Sequence, residues 1–230
     1  MEEAAQRLYK EWFVDLRFPG HENVKIVDGL PDGWERRLLS KVFSYVRGKS
    51  YSSKDLVEQD GILLVNLKNI RAYGGYNSNA EKHFIGKYND NQILSAGDII
   101  MAVTDMTQER RLVGYVAVVP RLRNKAIFSM DLIKLIPLEV TTSYLYSTLN
   151  FGNFSKKVSM IANGVNVLHL KPDTIMNMEM IIPSDKIMLQ YNVSFENFRN
   201  KIELLKEQID KLQEARDRLL PKLLSGEIMI

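Results

Sequence analysis

The sequence predicts a mixed α/β (α+β) fold, with one globular unit between two helical segments, the second long and of coiled-coil type. Three observations carry this. From Val193 to Ile230, the residues Phe195, Phe198, Ile202, Leu205, Ile209, Leu212, Leu219 and Leu223 recur at steps of three and four. Such steps fill the a and d positions of a heptad and keep one apolar seam on one side of a long helix. From Trp34 to about Ile182, short runs of Val, Ile, Leu and Tyr alternate with Gly, Asn, Asp and Ser clusters, the pattern of short strands and turns. Near the start, Ala5, Leu8, Trp12 and Leu16 fall on one face of a helix. The expected divisions are 1–30, 31–183 and 184–230.

Taken in order, residues 2–17 read as a helix whose apolar face needs a partner, with Arg7, Lys10, Glu11 and Arg17 turned away. Phe18-Pro19-Gly20 ends it, and the connector through Asp28 to Glu35 is dense in turn-forming residues. Strands are expected at 62–67, 98–103, 114–119, 167–169 and 180–182, and short helices at 38–43, 130–137 and 141–149. In the last segment Glu196, Arg199, Lys201, Glu203, Lys206, Glu207, Asp210, Lys211, Glu214 and Arg218 solvate the faces beside the seam. Arg216 alone interrupts it, at an a position, where it either sets register or snorkels to the edge. Pro221 should end or kink this helix, and Gly226 permits a left-handed stop. The seam is read in two ways, as an amphipathic helix packed on its own domain or as one that needs a partner helix.

A chain of 230 residues, 45% of them hydrophobic, can bury a core for one or two domains. Its net charge of +3, from 31 basic and 28 acidic residues, is too small to argue for nucleic acid by itself, so that case must rest on local clusters. The absence of cysteine excludes disulfides, thiolate metal sites and a cysteine nucleophile. Glu2 and Glu3 at the start do not suit a secretory signal, and no apolar run reaches membrane length, so the expected location is cytoplasmic. Gly48-Lys49-Ser50 resembles the end of a phosphate-binding loop, but Phe43 stands where that motif needs glycine. His21, His83 and His169 lack metal-ligand spacing, and no nucleophile elbow or methyltransferase cofactor loop is present. A non-catalytic chain with no cofactor or metal of its own is expected.

Five polar clusters in the middle segment make a better case. Lys49 and Tyr51 lie in the first; Asn69, Arg71, Tyr73 and Tyr76 in the second; Thr107, Gln108, Arg110 and Arg111 in the third. Arg121, Arg123, Asn124 and Lys125 form the fourth, and Lys156, Lys157, Asn163 and Asn166 belong to the fifth. Each combines cations that neutralise phosphates with amides, hydroxyls or rings that meet base edges. For each residue a solvated surface loop is the competing reading, and Tyr73 and Tyr76 can equally serve loop packing.

The tail Leu219-Leu220-Pro221-Lys222-Leu223-Leu224-Ser225-Gly226-Glu227-Ile228 resembles the ending of specificity subunits of type I restriction-modification systems. Glu3 to Leu8 with Trp12-Phe13 resembles the end of that family's central helix, and Pro31-Asp32-Gly33-Trp34 resembles the turn that opens its second target-recognition domain. Gly97 to Ala102, followed by Thr104 to Gln108, resembles the central strand and next loop of such a domain. The resemblance implies a subunit that selects a DNA sequence and performs no chemistry. Each recognition domain would read half of a bipartite target in double-stranded DNA. The helices would space the domains and dock methyltransferase (modification) subunits, with translocating nuclease (restriction) subunits joining for cleavage. S-adenosylmethionine, ATP and Mg would then belong to those partners. Having one recognition domain rather than two, the chain resembles a half-subunit or the distal half of a complete one. A homodimer through Leu8 and Trp12 and the seam from Phe195 to Leu219 is expected. A helical adaptor that binds the methyltransferase without reading DNA is the competing expectation.

Overall fold

The computed structural model describes residues 2–80, 82–164 and 167–228. Its framework is a four-stranded antiparallel sheet in the spatial order Val116–Val118, Ile99–Ala102, Leu132–Pro137 and Phe43–Arg47. Ile99-Ile100-Met101-Ala102 has no polar alternation because both of its faces are covered. Ile99 and Met101, with Val116, Ile133 and Leu135, face a core shared with helices. Ile100 and Ala102, with Ala117 and Leu132, face Val65, Leu94, Ala126 and Phe128. These belong to a five-stranded sheet in the order Leu56–Val57, His83–Phe84, Ile62–Val65, Ala126–Phe128 and Ile93–Leu94. The outer face of that sheet is closed by Leu64, Phe84 and Ile127 packed under Tyr51, Leu56 and Tyr88. The layers are therefore helices, four strands and five strands.

The expected strands lie within or overlap observed ones, usually shorter: Ile62–Val65, Ile99–Ala102, Val116–Val118, Leu168–His169 and Glu179–Ile182. The segment 130–137 differs. It was expected to be helical, and it forms the strand Leu132–Pro137. Leu132, Ile133, Leu135 and Ile136 satisfy a helical spacing and a strand buried on both faces equally well. The pairing of Leu132 with Ala102 and of Ile133 with Arg47 decides between them. The strands Phe43–Arg47, Ala126–Phe128 and Glu35–Leu38 were not foreseen, and the last of these pairs with Glu179–Ile182.

The helices are α1 (Glu2–Tyr9), α2 (Leu39–Val42), α3 (Thr142–Phe151), α4 (Phe154–Ser159) and α5 (Asp185–Leu224). Thr141 caps α3, its hydroxyl accepting from the Tyr144 N–H at 3.3 Å. After Tyr9 the first helix widens into a π-type turn over Lys10–Val14, with the Asp15 N–H donating to the Lys10 carbonyl at 2.8 Å. Its apolar face is wider than the expected stripe because Tyr9 and Phe13 belong to it. The Trp12 and Tyr191 rings lie 5.9 Å apart, and Phe13 meets Tyr144 and Tyr191, each at 4.9 Å. Ala5, Tyr9 and Trp12 are buried and Leu8 is half-buried, so this face finds its partner within the chain, on α3 and α5. The Tyr191 hydroxyl donates to Ser147 Oγ at 2.7 Å and the Tyr144 hydroxyl to the Ile181 carbonyl at 2.6 Å. Burial pushes both phenols well above their usual range.

Helix α5 has 40 residues, about 60 Å at ~1.5 Å per residue. Its root belongs to the core, since Ile187, Met188, Tyr191 and Phe195 are buried. Phe198 and Ile202 are half-buried, and beyond them the seam is open: Leu205 is 38% exposed, Ile209 52%, Leu212 69% and Leu219 48%. The reading of a helix packed on its own domain thus holds for the root, while the seam from Leu205 onward is open to solvent. The expected stop at Pro221 falls three residues late. Pro221 removes only one exposed hydrogen bond, and the chain turns at Gly226, whose φ of 74° is left-handed. No helix among the described residues is long and apolar enough to cross a membrane.

Candidate nucleic-acid interface

The pairing register brings four strand ends together. Val116 stands opposite Met101, Leu132 opposite Ala102, and Ile133 opposite Arg47. The segments that follow Arg47 and Ala102 and those that precede Val116 and Leu132 therefore meet at one end of the four-stranded sheet. A small ladder, Thr104–Asp105 with Leu168–His169, adds the segment after α4 to this end.

The loop from Asp105 to Val113 is built around one carboxylate. Asp105 is 1% exposed and accepts from the Thr107 N–H and hydroxyl, both at 3.0 Å, from the Leu112 N–H at 2.7 Å and from the Val113 N–H at 3.4 Å. Burial pushes its pKa up, but these bonds outweigh burial and hold it below the usual carboxylate range. Arg110 has a left-handed backbone, φ 55°, and turns its guanidinium inward, where Nη1 donates to the Ser159 and Ala162 carbonyls. Gln108 Nε2 reaches the Gly164 carbonyl at 3.2 Å. On the other flank the Tyr73 N–H donates to the Arg111 carbonyl at 2.8 Å, and the Tyr73 ring meets Tyr115 edge-on at 5.7 Å. Asp131 joins the group by accepting from the Thr104 hydroxyl at 3.1 Å. Loops 71–76, 105–112, 129–131 and 159–164 are thereby cross-braced into one surface.

On this surface Tyr73, Thr107, Gln108, Arg111 and Asn163 are exposed. Lys156 and Lys157 are exposed on α4, whose Phe154 and Val158 anchor it in the core. Arg111 is paired with Glu109. Lys49 is half-buried at the same sheet end, bridged to Ser129. The remaining sequence candidates sit elsewhere. The Tyr51 ring packs on the outer face of the five-stranded sheet with the Lys82 ammonium 5.7 Å from its centroid. Asn69, expected to offer an amide to bases, is 4% exposed: its Nδ2 donates to the Asn77 and Ala80 carbonyls, and its Oδ1 accepts from the Asn66 N–H. Its amide organises its own loop. Tyr76 is half-buried against the inter-sheet core. Arg71 lines a groove of about 140 Å³ beside α5, together with Pro120, Phe198 and Ile202. Asn166 lies outside the described residues.

The sequence reading missed two features. Asp105 is the loop's organiser, and the Asp-x-Thr spacing of an Asx turn was its signal. Met106, Met130 and Met160 are 67%, 57% and 67% exposed on three of the braced loops, which no periodicity foretells. Helix α5 carries both signs of charge, with Lys211 and Arg218 beside its acidic residues. It leaves the domain past Val118 and Pro120, at the far end of the strand Val116–Val118. There Glu203, Glu207, Asp210, Glu214 and Asp217 form an exposed or half-exposed acidic stripe, part of it across a groove from Arg123. Phosphates are favoured at the looped end, where Lys156 and Lys157 are exposed, and disfavoured only beside this stripe.

Residues 31–214 match the family described as the Type I restriction modification DNA specificity domain. The chain belongs to this family. Among curated relatives, the specificity subunit of the type I restriction enzyme MjaIX of Methanocaldococcus jannaschii is 26% identical over 242 residues, covering 100% of this chain and 53% of that protein. Among solved structures, the type I restriction-modification S subunit from M. genitalium is similar with a TM-score of 0.60 at 17% identity, covering 88% of this chain and 48% of the other. The HsdS subunit from Thermoanaerobacter tengcongensis is similar with a TM-score of 0.55 at 16% identity, covering 99% and 51%. These structures support the specificity-domain fold, a mixed α/β unit carrying a long C-terminal helix. The chain spans about half the length of the relatives it matches.

Proposed function

We propose that this specificity-domain chain reads one half of a bipartite target in double-stranded DNA with the braced loops at the end of the four-stranded sheet. The observation that carries the reading is the convergence of four loops on one rigid surface, cationic and rich in hydroxyl and amide groups, at the end of the domain away from α5. Lys156, Lys157 and Lys49 supply charge for the phosphates. Arg111, Gln108, Thr107 and Asn163 are the side chains placed to reach base edges, and Tyr73 offers an exposed ring. Arg110 and Asn69 act from behind, one bracing the loop and the other its neighbour.

In this reading the chain selects and does not catalyse. Its helices dock methyltransferase subunits, with nuclease subunits joining the assembly, and a second copy supplies the other half of the site through the open seam of α5. S-adenosylmethionine, ATP and Mg act in the partner subunits. A two-fold dimer predicts a palindromic split target. The test is DNA binding over a range of salt by the chain with its methyltransferase, followed by methylation mapping. Replacing both Lys156 and Lys157 by Ala should weaken binding uniformly across sequences and lower the salt slope by about 1.8, near 0.9 per lost phosphate contact. Replacing Arg111 should instead change which sequences are bound. Tight methyltransferase binding with no sequence preference would establish the adaptor in place of the reader.

A further inference from the structure

Resting on the DNA-reading proposal above, we infer that Met106, Met130 and Met160 are specificity residues that hold the C5-methyl groups of thymine, so that the half-site contains A·T pairs met in the major groove. Among the described residues of the four braced loops, the large apolar side chains left exposed are these three and Tyr73. The other described methionines, Met101, Met176, Met178, Met180 and Met188, are buried or half-buried in the core. The exposed thioethers among the described residues are therefore gathered on the surface that carries Thr107, Gln108, Arg111 and Asn163.

Each projects from a fixed backbone. Met106 lies between Asp105, which is 1% exposed, and Thr107, whose N–H donates to the Asp105 carboxylate at 3.0 Å. The Met130 N–H donates to the Lys49 carbonyl at 2.9 Å, and the adjacent Asp131 carbonyl accepts from the Val103 N–H at 2.8 Å. Met160 ends α4 directly after Ser159, whose carbonyl accepts from Arg110 Nη1. An unbranched thioether on an anchored backbone reaches outward from a set place and adapts its shape to an uneven groove floor. The surroundings favour a base over a protein as the occupant. Lys156 and Lys157 stand four and three residues before Met160, so cation and thioether are neighbours on the surface of α4. Met106 adjoins Thr107 and Gln108, and Met130 is tied to Lys49. Lysine is depleted at the core of protein interfaces, whereas a DNA interface sets cations for phosphates beside groups that meet base edges. In the major groove the thymine methyl is the apolar group that a base edge presents, next to the O4 acceptor that an amide or hydroxyl reaches.

The test uses the chain with its methyltransferase and a pool of random-sequence duplexes. The duplex that wild type enriches is remade with uracil at each thymine in turn, which removes the methyl group and keeps O4 and the base pairing. Binding should fall about four-fold at the thymines that the methionines hold, the value of one buried methyl group. Met106→Ala, Met130→Ala and Met160→Ala should each erase the uracil effect at one thymine, and the matching leucine variant, Met106→Leu, Met130→Leu or Met160→Leu, should restore it. Because the three side chains are exposed, the urea midpoints of these variants should match wild type. An enriched duplex without thymine, or one indifferent to uracil throughout, would overturn the inference. A uracil effect that survives in all three alanine variants would do the same. Variants that lose the methyltransferase while keeping the uracil effect would make this surface a protein-docking site instead. Failure of wild type to enrich any sequence would refute the DNA-reading proposal itself.

Discussion

Replacing Asp105 by alanine would test whether a single buried carboxylate organises the proposed recognition surface. Of its four donors, the two on Thr107 belong to an exposed residue and pass to water when the acceptor is removed. The N–H groups of Leu112 and Val113 do not, because Val113 is fully buried and Leu112 is half-buried. A buried donor left unsatisfied costs about 1–3 kcal/mol. The Val113 bond is long, at 3.4 Å, so the loss should be about 2–4 kcal/mol rather than the full sum. Asp105→Asn keeps one acceptor oxygen and should lose roughly half of that. The native pKa is depressed, so the charged carboxylate contributes stability above its unfolded value of about 3.9, and this is lost as pH falls through the folded value. Urea unfolding from about pH 3 to 8 should therefore show a constant gap between wild type and Asp105→Ala above about pH 5, narrowing in acid. A gap under about 0.5 kcal/mol, or one that widens in acid, would refute the assignment.

Further outcomes follow from the packing. Trp12→Ala should destabilise the isolated chain by about 3–5 kcal/mol in urea, because Trp12 packs on Tyr191 and Phe13 within its own core. The exposed Leu219→Ala should stay within about 0.5 kcal/mol for the monomer. Leu205→Asp combined with Leu212→Asp should sediment as a monomer with an unchanged far-UV spectrum, since both residues are open to solvent in the single chain. Duplicating one heptad, residues 203–209, should lengthen the gap between half-sites by about 10.5 Å, or about 3 base pairs, for a duplex lying along the helix pair, as read from methylation mapping.

The strands and helices that could be read from sequence were those with one dominant periodicity. The α5 seam and the run Ile99-Ile100-Met101-Ala102 fall in this class. Leu132–Pro137 did not, because its spacing suits helix and strand alike and only its neighbours Ala102 and Arg47 settle the matter. Of the candidate surface, the residue types were legible and their grouping was not. Arg110 and Arg111 are adjacent in sequence, yet one points inward to carbonyls and the other outward, a distinction fixed by the positive φ at Arg110. Asn69 and Asn163 have the same chemistry and opposite exposure, set by whether the loop turns over them. The face of α1 was recognised, but its partner was misplaced, because an apolar stripe states that it will be covered without naming what covers it.

The root of α5 lies in the core, with Tyr191 wedged among Tyr9, Trp12 and Phe13, while the rest of the helix projects freely. Mechanically this is a cantilever clamped at one end. From Phe198 to Leu224 the arm is about 39 Å long at ~1.5 Å per residue. A tilt of about 5° at the clamp moves its tip by roughly 3.4 Å, the rise of one base pair. In the proposed dimer on DNA, repacking one aromatic ring at the clamp would therefore displace the far domain by a whole step on the duplex, and errors of packing in the core would surface as errors of spacing.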